Sequence, residues 1–266
     1  ERSVARNSGA AAARGQYLYF LDDDDWLLPG ALAAFWQLAR QAPEAAWLHG
    51  GIRVMGDSRG DYRNDYRGEY DGENGRILSE TNSGVQGACL AQIMGGAWVP
   101  IQSSIIRAGD FFAVGGYSPF VRGTEDQDLC RRIAAQGQLA NTPTPVACLF
   151  RGADWQTSTD YGRAAEDTRL SRDEVVSQPG TFGNMMASAG TGYWYGRVVH
   201  IYLSLALWQW RQRRLFTAAS RALYGGLALL RAAAYWLDPD FRQALRDHHV
   251  PGSLHFIQIG WEQSDR

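Results

Sequence analysis

Lysine is absent from this 266-residue chain: all 26 basic residues are arginine, set against 28 acidic residues for a net charge of −2. That absence excludes Schiff-base and pyridoxal chemistry, the phosphate-binding lysine of P-loop nucleotide hydrolases and the lysine of protein kinases, each of which needs an ε-amine at a fixed place. Cysteine is scarce. Cys89, Cys130 and Cys148 are odd in number and too widely spaced for a zinc module or a disulfide framework, which suits a reducing, cytoplasmic setting. No charge of one sign dominates, so no nucleic-acid partner is expected. The chain opens on Glu1, without methionine or a charged-then-apolar leader, and the expectation is a piece of a longer protein. What is present suffices for a core. The chain is 45% hydrophobic, with 10 Trp, 12 Tyr, 10 Phe and 30 Gly, a composition that excludes disorder and collagen-like structure.

The segment Arg2 to Arg14 reads as the end of a helix, with Gly15 at its C-cap. Tyr17 to Leu21 reads as a buried parallel strand that empties into four consecutive carboxylates, Asp22, Asp23, Asp24 and Asp25. Pro29 then fits the first turn of a helix that runs through Leu32, Phe35, Trp36 and Ala39. Strands are expected at Ala45 to Val54, Val99 to Ile106 and Val146 to Phe150, a helix at Glu125 to Ala135, and a long excursion loop from Gly56 to Gly75. This alternation predicts an α/β domain with a largely parallel sheet over residues 1–160.

Beyond about Asp160 the pattern becomes helical, giving a second region over 161–266. Between Gly190 and His248 eight arginines face three acids, with Trp194, Trp208, Trp210 and Trp236 interleaved. The apolar run Val198 to Trp210 is shorter than the ~20 residues a membrane span needs. Two readings stay open: helices that cover the sheet, or an amphipathic pair lying on the cytoplasmic face of a membrane, where arginine and tryptophan suit the headgroup layer. The five histidines, His49, His200, His248, His249 and His255, fall outside both acidic motifs and read as structural.

Carboxylates at the end of a buried strand lie where open α/β sheets bind ligands. Four adjacent negative charges repel unless something positive neutralises them, and hard oxygen donors at this density suit Mg2+ or Mn2+. A haloacid-dehalogenase-type phosphatase also uses a strand-end Asp-x-Asp pair, but it needs a Thr or Val where Trp26 stands and a lysine that this chain lacks. An EF-hand loop is spoiled by Trp26 and Leu27.

The run Ala5-Arg6-Asn7-x-Gly9-x-x-x-Ala13-x-Gly15-x-Tyr17-Leu18-x-Phe20-Leu21-Asp22-x-Asp24-Asp25-Trp26-x-x-Pro29 resembles the signature of family 2 glycosyltransferases of the GT-A fold, a Rossmann-like α/β architecture. The resemblance implies that Asp24, with Asp22, ligates a divalent metal and the diphosphate of a nucleotide-sugar donor. It also implies that Asp23 contacts the ribose and that Arg6 and Asn7 lie by the donor. A strand-helix-strand unit that holds the nucleotide base usually precedes this run in the family, which again implies a longer protein and a fragment that is inactive alone.

Thr124-Glu125-Asp126-Gln127-Asp128-Leu129 opens a helix with Thr124 at the N-cap and acids in the first turn, and capping alone would account for those acids. The stretch also resembles the family's Glu-Asp-x-Asp-Leu motif, preceded by Ser103-Ser104, Arg107 and Val114-Gly115-Gly116-Tyr117. The resemblance makes Asp126 the general base, with Glu125 and Asp128 orienting it or binding the acceptor. A further family feature departs here: Ala153 stands where a histidine is expected after Arg151, with Asp154 as the available substitute. The implied activity is metal-dependent, inverting sugar transfer to a saccharide or lipid-linked acceptor in polysaccharide or glycoconjugate synthesis. The alternatives are an inactive nucleotide-sugar-binding module and an aspartate-based phosphotransfer enzyme.

Overall fold

The computed structural model describes residues 2–23, 25–56, 76–151 and 161–246. The excursion at 57–75, the loop with Ala153 and Asp154, and His248, His249 and His255 lie outside the described residues. The chain divides into two compact units. The first comprises Glu1–Gly87, Val99–Ile133 and Gly137–Asp160; the second comprises Ala88–Trp98, Ala134–Gln136 and Tyr161–Arg266.

Helix α1 (Arg2–Ala12) leads into the short strands β1 (Tyr17–Tyr19) and β2 (Trp26–Leu27), helix α2 (Ala31–Gln41), and strands β3 (Trp47–Gly56) and β4 (Arg76–Thr81). After α3 (Leu90–Gly95), which belongs to the second unit, come β5 (Ser104–Arg107), α4 (Ala108–Ala113), α5 (Glu125–Gln136) and β6 (Leu139–Arg151). The strands form one sheet in the order β1-β5-β3-β6-β2, with β4 also on β3. Strand β3 is its centre, a 10-residue strand whose Trp47, Leu48, Ile52 and Val54 are buried. Its first residues pair with β5, Ile52 to Gly56 pair with β4, and β6 runs beside it from end to end.

The α/β expectation holds, but the sheet is mixed rather than largely parallel. The β3–β6 pair is parallel, and every other described pair is antiparallel. Alternating strands and helices do not fix direction by themselves, since connections of a dozen residues or more allow either sense. Here β5 enters between β1 and β3 running against both. Gly50 and Gly51 allow β6 to approach where the register shifts: a Cβ on Gly50 would lie 2.8 Å from the Thr144 carbonyl oxygen and 2.9 Å from the Val146 methyls.

Local expectations shift in instructive ways. Helix α1 stops at Ala12, and Gly15 is not among the glycines with positive φ; its missing Cβ instead admits the Tyr17 carbonyl oxygen at 2.9 Å. On α2 the buried stripe is Ala31, Phe35 and Leu38, which packs against Leu48, Ile105, Ala140 and Val146. Leu32 and Trp36 lie about 100° round the helix from that stripe and are exposed. Ser103 and Ser104 are buried and both hydroxyls donate to the Pro100 carbonyl. The three cysteines are buried thiols, not joined in disulfides.

The second unit contains α3 with α6 (Tyr161–Ser177), α7 (Thr181–Ser188), α8 (Gly192–Arg211), α9 (Leu215–Arg231) and α10 (Pro239–Arg246). Gly225 lets α9 close onto α8, since a Cβ there would lie 2.7 Å from the Leu203 side chain. A buried polar knot ties α6 to these two helices. Arg221 Nε donates to Asp173 Oδ1 at 2.8 Å, Gln209 Nε2 donates to Asp173 Oδ2 at 2.7 Å, and the Arg221 guanidinium also reaches the Ser177 hydroxyl. Removing one member of a buried pair strands the other. Arg221→Ala is therefore expected to destabilise the chain by about 3 kcal/mol, whereas Arg221→Met combined with Asp173→Leu restores most of that loss. Chemical denaturation of both variants checks this, and equal losses would refute the pairing as the cause.

His49 is buried on β3 as a neutral ring. Its Nε2 lies 2.7 Å from the Val85 carbonyl, which can only accept, so Nδ1 is left to accept from the Asn141 amide at 3.0 Å. Burial outweighs the Val85 bond and pushes the His49 imidazole down from 6.5 to about 4. Stability from the neutral ring is thus complete above pH 6.5 and is lost as pH falls through about 4, with a total of about 3 kcal/mol. His49→Gln should show a shallower decline of denaturation midpoint between those pH values; curves parallel to wild type would show that another group drives acid sensitivity.

Candidate functional site

The site is built around an aromatic anchor in the first unit. Strand β1 delivers Phe20 edge-on to the buried Tyr117 ring at 5.2 Å, with Phe111 5.8 Å from Tyr117. Tyr117 is held by Asn7 of α1, whose Nδ2 donates to the Tyr117 carbonyl at 2.9 Å while its Oδ1 accepts from the Tyr117 N–H at 2.8 Å. Two left-handed glycines make this clasp possible: Gly115 at φ 80° and Gly116 at φ 67°, where a Cβ on Gly116 would lie 2.7 Å from the Asn7 oxygen. The Val114-Gly115-Gly116-Tyr117 motif therefore has a backbone reason, and Asn7 is occupied in holding it.

One residue earlier along α1, Arg6 lies against the Tyr117 ring, with its guanidinium carbon 5.3 Å from the centroid. From there it spans two acidic segments. Nη2 is 2.7 Å from Asp22 Oδ1 at the end of β1, and Nη1 is 3.1 Å from Glu125 Oε1 at the start of α5. Arg2, one turn before, adds a contact to Glu125 Oε1 at 3.4 Å. The second Asp22 oxygen accepts from Gln102 Nε2 at 3.3 Å, and the Gln102 carbonyl accepts from the Tyr19 hydroxyl at 2.6 Å. Gln102, Arg2 and the Tyr117 ring have no assigned role in the sequence motifs. Gln102 directly precedes the quoted Ser103-Ser104, and this adjacency is the one available signal for it.

At the head of α5 the acids divide. Glu125 is buried beneath Arg2 and Arg6. Asp126 is half-buried, and its Oδ1 accepts the Gln127 N–H at 2.7 Å. Asp128 is fully buried and turned to Arg132, which donates to its Oδ2 at 3.0 and 2.7 Å and to the Val114 carbonyl at 2.7 Å, so it secures the helix to the glycine turn. Thr124 occupies the N-cap position without a side-chain cap bond, and its buried hydroxyl has no partner among the described residues. The acids, not that hydroxyl, meet the first-turn N–H groups.

Burial raises Glu125, and the neighbouring Asp126 raises it further against the pull of Arg2 and Arg6. Burial likewise raises Asp126, opposed by the Gln127 N–H, Arg6 and Arg131. Burial would lower Arg6, but Tyr117, Asp22 and Glu125 outweigh it and hold the guanidinium charged. Asp23 is exposed and Asp25 buried, while Asp24 lies outside the described residues. No group of three or more His, Cys, Asp or Glu side chains close enough to hold a metal occurs among the described residues. Asp22 and Asp23 place carboxylate oxygens at one strand end, the donor type that a hard divalent ion such as Mg2+ or Mn2+ takes.

The mixed sheet and the strand-end acids make an α/β domain with a carboxylate-rich strand end. Residues 2–94 match the model described as Glycosyl transferase family 2. No curated protein sequence matches the chain at a significant level. Among solved structures, the chain is similar to S. aureus TarS at TM-score 0.48 and 12% identity, covering 94% of this chain and 43% of that one. It is similar also to the mannosyltransferase PcManGT from Pyrobaculum calidifontis, solved with GDP-Man and Mn2+, at TM-score 0.43 and 16% identity, over 92% of this chain and 63% of that one. The chain thus spans less than two thirds of either protein's length.

If Arg6 carries the junction, Arg6→Ala, which leaves Asp22 and Glu125 facing each other without a cation, should lower stability by about 3 kcal/mol. Arg6→Lys keeps the charge but cannot fork to both carboxylates, and it should recover less than half of the loss. Thermal and denaturant unfolding decide the point; a neutral Arg6→Ala would show that the bridge is incidental.

Proposed function

We propose that this chain belongs to an inverting glycosyltransferase that moves a sugar from a nucleotide-diphosphate donor to a hydroxyl of a saccharide or lipid-linked acceptor, in polysaccharide or glycoconjugate synthesis. The observation that carries the reading is the Arg6 bridge, which brings the strand-end acids of the family 2 segment within one guanidinium of the Glu125-Asp126 pair, Glu125 lying 119 residues from Arg6 in sequence. Transfer to a hydroxyl needs these two chemistries side by side: a place for diphosphate charge and a base for a proton.

In this reading Asp126 is the general base. Its carboxylate takes the proton of the acceptor hydroxyl as that oxygen attacks the anomeric carbon, and the bond to the diphosphate breaks with its electrons leaving on the diphosphate oxygen. Displacement in one step from the opposite side inverts the anomeric centre. Burial raises Asp126 toward the working pH, which strengthens a carboxylate base, while Arg6 and Arg131 oppose that rise and favour ionisation. Glu125 and Asp128 orient it: Glu125 is pinned by Arg2 and Arg6, and Asp128 anchors the helix through Arg132. Arg6 and Asn7 act on the donor side by fixing Asp22 and the Tyr117 turn, and Asp23, exposed, contacts the ribose. Asp22 and Asp24 would hold Mg2+ or Mn2+, which when bound would neutralise diphosphate charge. Within the chain we assign residues 1–160 to the catalytic domain and 161–266 to a helical region.

The test is Asp126→Asn in the complete protein, supplied with Mn2+ and a donor panel. The expected result is a loss of about 10²–10⁴-fold in transfer rate with donor binding by calorimetry unchanged. Near-normal transfer by Asp126→Asn would remove the base assignment. Binding of nucleotide diphosphate without turnover by wild type would identify a binding module instead, and phosphomonoester cleavage without a sugar donor would identify phosphotransfer.

A further inference from the structure

Helix α9 is inside out. The residues it buries are Ala218, Arg221, Gly225 and Ala228, small side chains plus the arginine of the polar knot. Its large apolar residues lie on the opposite face. Phe216 is 95% exposed, Leu223 63%, Leu227 42% and Leu230 74%, and their spacing of seven, four and three positions makes one stripe along the helix. A helix that faces only water shows the reverse pattern.

The stripe runs from the tip of the α8–α9 hairpin, where Trp210-Arg211-Gln212-Arg213-Arg214-Leu215-Phe216 are all exposed. That tip joins aromatic and aliphatic side chains to three cations. Arg213 holds φ at 61°, a left-handed conformation that glycine adopts more cheaply by roughly 1 kcal/mol, so a cation stands where the backbone favours none. Charge identifies the occupant. Residues 192–231 contain six arginines and no aspartate or glutamate. Of the six, Arg197 and Arg221 are buried, and Arg211, Arg213, Arg214 and Arg231 are exposed. A second copy docking symmetrically on this face would set arginine against arginine. An anionic lipid surface accepts both features, with the guanidinium groups at the phosphates and the Trp, Phe and Leu side chains in the acyl boundary. No helix among the described residues is long and apolar enough to cross a membrane, so the contact is lateral.

We propose that the α8–α9 hairpin docks on anionic membrane, inserting Trp210 and Phe216 at its tip and the Leu223, Leu227 and Leu230 stripe along its length. This deepens the proposed function and rests on it for its purpose, since it brings the catalytic unit to a lipid-linked acceptor. The binding measurement itself uses neither donor nor acceptor, and Asp126→Asn should bind vesicles as wild type does, so docking and sugar transfer fail or stand separately.

The test is flotation of the full chain with vesicles of pure phosphatidylglycerol and of pure phosphatidylcholine. Wild type should float with phosphatidylglycerol, less so as salt rises, and poorly with phosphatidylcholine. Arg213→Gln with Arg214→Gln should weaken binding about twenty-fivefold, about fivefold per arginine. Phe216→Ser with Leu223→Ser and Leu227→Ser should abolish it while helicity by circular dichroism is retained. Wild type that fails to float, or a serine variant that floats as wild type does, overturns the proposal. So does a concentration-dependent dimer in sedimentation that the serine variant dissolves without any vesicle binding, which assigns the face to a second copy. Flotation seen only when the chain ends at Arg246 also overturns it, assigning the stripe to residues 247–266.

Discussion

The guanidinium of Arg6 is where three segments of the first unit meet. It has an aromatic ring behind it and a carboxylate at each fork, Asp22 from the end of β1 and Glu125 from the start of α5. Without a cation at that point, two acidic segments would have to approach each other while partly desolvated, at a cost of several kcal/mol per uncompensated charge. The aromatic packing of Phe20 and Phe111 on Tyr117, the Asn7 clasp and the paired left-handed glycines all serve to hold the ring on which Arg6 rests. The same cation that permits the approach also tunes it: Arg6 pulls against the rise that burial forces on Glu125 and Asp126. Fold and electrostatics are therefore one constraint here.

How much of this was legible from sequence depends on the range of the interaction. The places of strand β1 and helix α5 were readable because apolar runs and first-turn acids are local signals, but β1 is shorter than Tyr17 to Leu21, only partly buried, and antiparallel to β5 rather than parallel. The direction of β5 was not readable, since it depends on which edge of β3 is free, and three different strands share that strand's two edges. On α2, Leu32 and Trp36 fit a helical period as well as Ala31 and Phe35 do; which stripe turned inward was decided by the sheet surface with Leu48 and Val146. Gly15 matched a common C-cap pattern, yet its space is taken by the Tyr17 carbonyl.

The candidate site divides the same way. The spacing of Asp22 to Asp25 and of Glu125 to Asp128 marked both acidic segments, and the pairing of Asp128 with Arg132 four positions on is the ordinary helical neighbour relation. That Arg6 would join them spans 16 residues to Asp22 and 119 to Glu125, and no local pattern encodes a contact at the longer distance. Gln102 went unread for a similar reason: its contact with Asp22 exists because β5 lies beside β1, and that neighbourhood is a property of the sheet.

The missing lysine is best understood from these contacts. Arg6 forks to two carboxylates and lies on a ring, Arg132 serves Asp128 and a backbone carbonyl together, and Arg221 joins Asp173 to Ser177. Each role uses several donors held in one plane, and an ammonium on a flexible stem, more strongly hydrated and compact, would satisfy only part of each set at greater desolvation cost. That argument covers the buried arginines. It does not extend to the exposed ones at 211, 213 and 214, where solvent would accept lysine equally well. For those a planar, weakly hydrated cation beside Trp210 and Phe216 has a physical advantage at one kind of boundary, where part of its surroundings is apolar and part is phosphate.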